Sequence, residues 1–171
     1  MLAAVNPAAV ALATWPRERG SVVATATGIT WALVLGAAAV SEPVLDALDV
    51  SAATFRIATG VVVGLAGARW LVLGASPVDV DTPRGSWRRV GVPLLIPALV
   101  SPPLAMVAIS TGADDGTLVA AWTAAIALVL AGVAATIAKE RRLGWLVGVR
   151  SLGALGILVA FALVVDGVKS V

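Results

Sequence analysis

Apolar residues fill this chain in blocks of about twenty, and short polar segments separate the blocks. A helix of about twenty apolar residues crosses the ~30 Å hydrocarbon core of a bilayer, because each residue adds ~1.5 Å. The pattern therefore predicts an all-α integral membrane protein with five or six transmembrane helices and no strands. The apolar blocks lie at residues 1–15, 21–40, 51–73, 90–111, 117–138 and 144–165.

The fourth block, residues 90–111, contains four prolines. A proline inside a helix removes a backbone donor and clashes with the carbonyl group one turn earlier. Backbone that lacks its helical hydrogen bonds occurs at membrane depth only where other parts of the protein bury it or where it lines a water-filled cavity. We interpret the block as a discontinuous helix, with Ser101 as a mid-membrane N-cap and Pro102 at the first position of the second half. A helix that is merely kinked at its prolines is the alternative.

Composition supports one membrane domain over residues 1–171. Hydrophobic residues make up 60% of the chain and charged residues 13%, and the mean hydropathy is +1.01. Soluble domains typically carry about 25% charged residues. Without Cys or His, the chain has no disulfide, no thiolate or imidazole metal ligand and no usual general base. We therefore predict neither an enzyme nor a cofactor.

The loop charges predict an orientation. The second and fourth polar segments, residues 41–50 and 111–116, hold acidic residues only, and the positive-inside rule places them outside. Both termini are then outside, and the loop at residues 75–89 is cytoplasmic. Because the basic residues flank membrane spans, we do not predict a nucleic-acid binder. The basic residues of the first, third and fifth segments are Arg17, Arg19, Arg84, Arg88, Arg89, Lys139, Arg141 and Arg142.

Two halves of the chain resemble each other. The sequence VNPAAVALA at residues 5–13 is similar to VSPPLAMVA at residues 100–108, and Arg56 has a counterpart in Arg150 at about the same offset. Each half holds three spans, so the halves cross the membrane in opposite directions, as in the inverted repeats of secondary transporters. We predict repeat 1 at residues 1–74 and repeat 2 at residues 90–171. Chance similarity in an Ala/Val-rich chain is the alternative.

The repeat predicts a binding site near the membrane midplane. If Asn6–Pro7 starts a half-helix as Ser101–Pro102 does, two helix N-termini with free N–H groups converge there, and an anion fits between them. Arg56 and Arg150 lie about five residues into their spans and add positive charge. Carbonyl groups freed before the prolines supply a cation site. The site suits a zwitterion.

Each arginine has a structural alternative, namely packing or snorkelling towards the interface. Arg56 shares one helix face with Gly60, Gly64 and Gly67, which predicts a close helix contact with the arginine pointing into the bundle. We interpret Asp166 and Lys169, one turn apart near the end of the chain, as an interfacial ion pair. No carboxylate lies in the middle of a predicted span, so the sequence supports no acidic coupling site.

Four segments together resemble the MarC family, also called the neutral amino acid transporter family. The resemblance implies six spans in a prokaryotic inner membrane, kinship with LysE-type exporters, and export of a small neutral amino acid or similar zwitterion with possible proton or sodium coupling. Compared with that family the N-terminus is shortened, which predicts either a true start upstream of residue 1 or a half-span that enters from the outer leaflet, and we favour the first. Ala8 and Ser101–Pro102–Pro103 replace glycine-containing family motifs. A non-transporting scaffold or partner subunit is therefore the alternative. The segments are VNPAAVAL, LDVSAATFRIATGVVVGLAGARWLV, VPLLIPALVSPPLAMVAI and RSLGALGILVAFALVVDGVK.

Overall fold

The computed structural model describes Met1, Ala4 and residues 20–74, 101–138 and 142–171. All secondary structure within these residues is helical, which confirms the all-α prediction for this part of the chain. The predicted loop at residues 75–89, the start of repeat 2 before Ser101, and Asn6–Pro7 lie outside the described residues. The helices are α1 (Gly20–Ala39), α2 (Ser41–Leu48), α3 (Ala52–Leu73), α4 (Pro102–Asp115), α5 (Thr117–Ala138) and α6 (Arg142–Ser170).

Two or three of these elements are long and apolar enough to cross a bilayer. The helix α3, with 22 residues, and the part of α6 from Val147 to Ser170 qualify on their own. The third candidate is a bent pair, in which Thr27–Ala39 of α1 and α2 meet at 53°. These lengths fit a membrane protein, since each exceeds or approaches the ~20 residues that a ~30 Å core needs.

Two segments that the sequence presents as connections are helical. Residues 41–50 contain the short helix α2, and Asp49 ends it with a left-handed backbone (φ 54°). Residues 111–115 belong to the end of α4, so the interpretation of the fourth polar segment, residues 111–116 (TGADDG), as a loop is wrong. Gly116 is the single residue between α4 and α5, and its φ of 85° is a conformation that glycine adopts without a steric penalty.

The helices α3 and α6 pack antiparallel with their backbones in near contact. A Cβ atom added to Gly67 would lie 2.7 Å from the carbonyl oxygen of Gly153, and one added to Gly60 would lie 2.8 Å from that of Ala160. Gly167, near the end of α6, is equally close to the start of α3. Small residues permit such approach, which is how membrane helices gain van der Waals contact. The predicted glycine contact face of α3 is therefore confirmed.

The helix α4 lies against both α1 and α3. A Cβ atom on Gly112 of α4 would lie 2.6 Å from the carbonyl oxygen of Ala38, so the last turns of α4 and α1 are side by side. A buried apolar cluster joins the helices further inside the bundle. Its members include Val34 of α1, Val63 of α3, Leu104, Val107 and Ala108 of α4, Ala124 of α5 and Ala160 of α6.

This packing brings all six acidic residues of the described ranges to one end of the bundle, which we call the acidic end. The end of α1, all of α2, the start of α3, and the ends of α4 and α6 meet there. Arg69 and Arg150 lie towards the opposite end, where the last turns of α3 run beside the first half of α6. The charged residues of the acidic end are Glu42, Asp46, Asp49, Asp114, Asp115, Asp166, Arg56 and Lys169.

We expect Gly67→Ala to destabilise the protein, because the added methyl group meets the backbone of α6, which cannot turn aside. Overpacking of this kind typically costs about 1–3 kcal/mol. The measurement is the Tm of the purified protein in detergent. Gly36→Ala in α1 is the matched control, since a Cβ there meets nothing within 4 Å and alanine favours a helix over glycine by about 1 kcal/mol. Equal Tm values for the two variants would contradict the α3–α6 contact.

Candidate functional site

Arg56 joins three helices at the acidic end. It is the fifth residue of α3, and its side chain is 17% exposed. Its Nε donates to Oδ2 of Asp114 at 2.9 Å, and its Nη2 lies 2.5 Å from Oδ1 of the same residue. Its Nη1 pairs with Oδ2 of Asp166. One guanidinium group therefore holds a carboxylate from α4 and a carboxylate from α6.

Tight helix contacts place the two carboxylates around Arg56. Asp114 follows two residues after Gly112, whose backbone touches α1. Asp166 directly precedes Gly167, where an added Cβ would lie 2.9 Å from the carbonyl oxygen of Ala53. The glycine beside Asp166 lets α6 approach α3, and the glycine near Asp114 holds the end of α4 against α1. In this arrangement both side chains reach the guanidinium group of Arg56.

The two carboxylates are held unequally. Asp114 makes a two-point contact with Arg56, its side chain is 17% exposed, and Oγ of Ser110 lies 3.4 Å from its Oδ2. Asp166 makes one contact with Arg56, and its side chain is 64% exposed. A two-point contact between arginine and a carboxylate is stronger than a single contact, and exposed pairs contribute about 0–1 kcal/mol. Asp114 is therefore the fixed partner and Asp166 the exchangeable one.

The group of Arg56, Asp114 and Asp166, which we call the arginine triad, carries a formal charge of −1. Arg56 points into the bundle, as predicted, but its positive charge is already paired with two carboxylates. Any other carboxylate that approaches Arg56 competes with Asp114 and Asp166.

The sequence interpretation that paired Asp166 with Lys169 is wrong, since no ion pair joins these two residues among the described contacts.

The structure begins α4 at Pro102, as the sequence predicts. Ser101 has an extended backbone (φ −102°, ψ 148°), and its carbonyl oxygen accepts hydrogen bonds from the N–H groups of Leu104 and Ala105 at 3.0 and 3.1 Å. The Ser101 side chain is buried and does not cap the helix. Its Oγ instead donates to the carbonyl oxygen of Ala4 at 3.3 Å.

The start of α4 offers no free backbone donor in its first turn. Pro102 and Pro103 have no N–H group, and the N–H groups of Leu104 and Ala105 are both used by Ser101. The prediction of free N–H groups at this N-terminus is therefore wrong, and the reason is the second proline. Only the helix dipole remains to attract an anion there.

The predicted site residues do not meet in one place. Ser101 lies thirteen residues before Asp114 on nearly one helix axis, so about 20 Å separates it from the arginine triad at ~1.5 Å per residue. Arg150 is exposed and lies sixteen residues before Asp166 on α6, about 24 Å away by the same measure. Asn6 and Pro7 lie outside the described residues, so their role stays a prediction.

Sequence reasoning missed Asp114 and Asp166 as partners of Arg56. The available signal was the cost of a charged side chain inside a span, which calls for a partner of opposite charge. Both acids lie on the predicted outer side, where the span that contains Arg56 begins. Together, the cost of the charge and the predicted topology indicate that Arg56 pairs with acidic residues on the outer side. They do not identify which acidic residues these are.

Comparison with known proteins adds no relative. No family model, no curated protein and no solved structure matches this chain. The resemblance to the MarC family therefore stays a prediction. The described residues also contain no group of three or more side chains that could hold a metal ion.

We expect Asp114→Asn to lower the free energy of unfolding more than Asp166→Asn. The first change removes the two-point contact of Arg56, which is the stronger of its two contacts, and the second removes one contact to a mostly exposed carboxylate, at about 0–1 kcal/mol. The measurement is thermal unfolding in detergent. Asp115→Asn is the control, because it removes an exposed carboxylate next to Asp114 that pairs with no described residue. Equal losses for Asp114→Asn and Asp115→Asn would contradict the geometry.

Proposed function

We propose that this protein is a multi-pass transporter or exporter in a prokaryotic inner membrane, and that it moves a small neutral amino acid or similar zwitterion by alternating access. The observation that carries the proposal is the arginine triad. Arg56 lies within a helix long and apolar enough to span the bilayer, and its side chain is largely covered. Ionisable residues in membrane spans are costly and typically mark substrate or ion pathways.

The triad links the two predicted repeats. Arg56 belongs to repeat 1, and Asp114 and Asp166 belong to repeat 2. Alternating access by rocking needs contacts between the halves that break and re-form, and ion pairs at a bundle end meet that need. The antiparallel packing of α3 against α6 supports the inverted repeat, because third helices of oppositely oriented copies run in opposite directions.

Charge supports an orientation for the bundle. The acidic end holds six acids and two bases, whereas Arg69 and Arg150 lie towards the other end. By the positive-inside rule, the acidic end faces outward. The C-terminus, at the end of α6, then lies outside, in agreement with the sequence prediction.

A zwitterion suits the triad because it carries both charges. Its carboxylate group replaces an aspartate on Arg56, and its ammonium group takes up the aspartate that is released. The net charge of the site stays at −1 through the exchange. A simple anion would leave a carboxylate of the protein without a partner at low dielectric, which is costly.

A structural role is the second candidate, and one observation favours it. Arg56 already has two carboxylate partners, and the first turn of α4 has no free donor. The same contacts can therefore serve stability alone, in a scaffold or partner subunit. A scaffold gains no stability from any amino acid, because a ligand raises Tm only where it binds the folded state.

We expect Arg56→Ala to abolish the uptake of neutral amino acids into proteoliposomes. We expect Arg56→Lys to reduce it at least tenfold, since lysine keeps the charge but loses the two-point geometry. The measurement is a flux assay over single neutral amino acids. Arg69→Ala is the matched control, because it removes an exposed arginine from the other end of the same helix. Size-exclusion profiles establish that each variant is folded.

Two outcomes would overturn the proposal. Flux that is unchanged in folded Arg56→Ala would remove the triad from the pathway. The absence of flux and of any shift in Tm across all neutral amino acids for the wild-type protein would favour the scaffold.

A further inference from the structure

Close contacts divide the described helices into two groups. On five glycines of α3 and α6, an added Cβ atom would lie 3.1 Å or less from an atom of the other helix of that pair. The corresponding contact of α4 is with α1, at Gly112, and the indole Nε1 of Trp31 in α1 donates to the carbonyl oxygen of Ala121 in α5 at 3.2 Å. No described glycine brings α3 against α4 in this way. The five glycines are Gly60, Gly64, Gly67, Gly153 and Gly167.

Side chains make the contacts between the two groups. Val63 of α3 belongs to the same buried apolar cluster as Leu104 and Val107 of α4, and Arg56 of α3 reaches Asp114 of α4. Apolar contacts are non-directional, and helices packed through side chains can slide past each other by small amounts. Backbones in near contact hold their register instead. The boundary of easiest movement therefore lies between a first body, α3 with α6, and a second body, α1 with α4 and α5.

We propose that the two bodies move against each other, that the Arg56–Asp114 pair is the latch between them, and that Asp166 keeps Arg56 paired while the latch is open. The inference rests on the proposed function and deepens it, because it names the parts that move during alternating access. The bodies are not the predicted repeats, since the first body joins α3 of repeat 1 to α6 of repeat 2.

Each charge of the latch has a second polar partner in its own body. Asp114 is the fixed partner of Arg56 in the described arrangement, because two donors hold it. When α4 moves away, Arg56 retains Asp166, which belongs to the same body. Asp114 retains Ser110, whose Oγ lies 3.4 Å from its Oδ2 on the same helix. Because an unpaired charge inside a span is costly, these partners lower the cost of opening.

The latch also explains why one arginine has two carboxylates. Asp114 alone neutralises Arg56, and Asp166 adds a single contact from a side chain that is 64% exposed. Such a contact contributes little to a static bundle. In a moving bundle the same contact stabilises the open arrangement, where Asp166 is the remaining partner of Arg56 within the triad. A static triad and a latch therefore predict different effects for the loss of Asp166.

We expect the two aspartates to act in opposite directions. Asp114→Asn weakens the latch and raises the share of the open arrangement, whereas Asp166→Asn leaves an open Arg56 without a carboxylate and lowers that share. Each shift should be about threefold, the size that an exposed ion pair typically produces. Arg56→Lys should act as Asp114→Asn does, because lysine lacks the fork that holds a carboxylate at two points. Asp115→Asn is the control and should change nothing.

The measurement is the distance between two nitroxide labels on the full-length protein in nanodiscs. The chain has no cysteine, so an introduced pair of cysteines carries the only labels. Val168 of α6 is labelled with Val61 of α3 for a pair within the first body, and with Leu118 of α5 for a pair across the boundary. All three side chains are more than half exposed. We expect one distance within the body and two across the boundary, and only the second pair should respond to the variants.

Three results would overturn the latch. They are two distances for the pair within the first body, a single distance across the boundary in both wild-type and Asp114→Asn proteins, or shifts of Asp114→Asn and Asp166→Asn that do not oppose each other. The proposed transport fails separately, because the distances need no substrate. Opposite shifts without flux of any neutral amino acid would retain the latch and exclude transport. Flux with a single distance across the boundary would retain transport and exclude the latch.

Discussion

The close contact between α3 and α6 determines where the charged groups of this bundle lie. Helices in lipid gain little from the hydrophobic effect and associate through van der Waals packing, so backbones approach where side chains are absent. Gly60 and Gly67 on α3, with Gly153 and Gly167 on α6, let the backbones touch at several levels. A contact of this kind fixes the register. A slip of one residue on α6 would turn Asp166 about 100° away from Arg56, and the arginine would lose a partner.

Register then explains why the two carboxylates differ. Asp114, in the last turn of α4, contacts two donors of Arg56, Nε and Nη2, whereas the more exposed Asp166 contacts the third, Nη1. The pair with Asp114 is the harder one to break, because two donors of the guanidinium group hold the same carboxylate. The pair with Asp166 exchanges readily with water or with another cation. A single arginine thus supports one structural contact and one contact that is free to take part in binding.

The sequence predicted those features that depend on one helix at a time. Residue spacing gave the apolar helices and the contact face of α3 with Arg56 directed inward, and proline chemistry gave the start of α4 at Pro102. The partners of Arg56 could not be obtained in this way, because they depend on how far α4 and α6 are displaced along α3. The role of Asp114 was also difficult to predict because it lies between two glycines, Gly112 and Gly116. These glycines make the sequence TGADDG resemble a turn, although the helix continues to Asp115.

The start of α4 explains why polar chemistry concentrates at the acidic end. An ordinary helix N-terminus leaves several N–H groups that an anion or water must satisfy. Here two consecutive prolines remove two donors, and Ser101 satisfies the next two, so the helix begins inside the bundle without need of a ligand. A substrate carboxylate group therefore has no backbone donor to bind in the first turn of α4. The fixed positive charges that could bind it, Arg56 and Lys169, lie about 20 Å from Ser101. The first turn of α4 therefore does not attract a substrate past the acidic end. If the protein transports as proposed, the substrate moves past that end because α4 moves against α3.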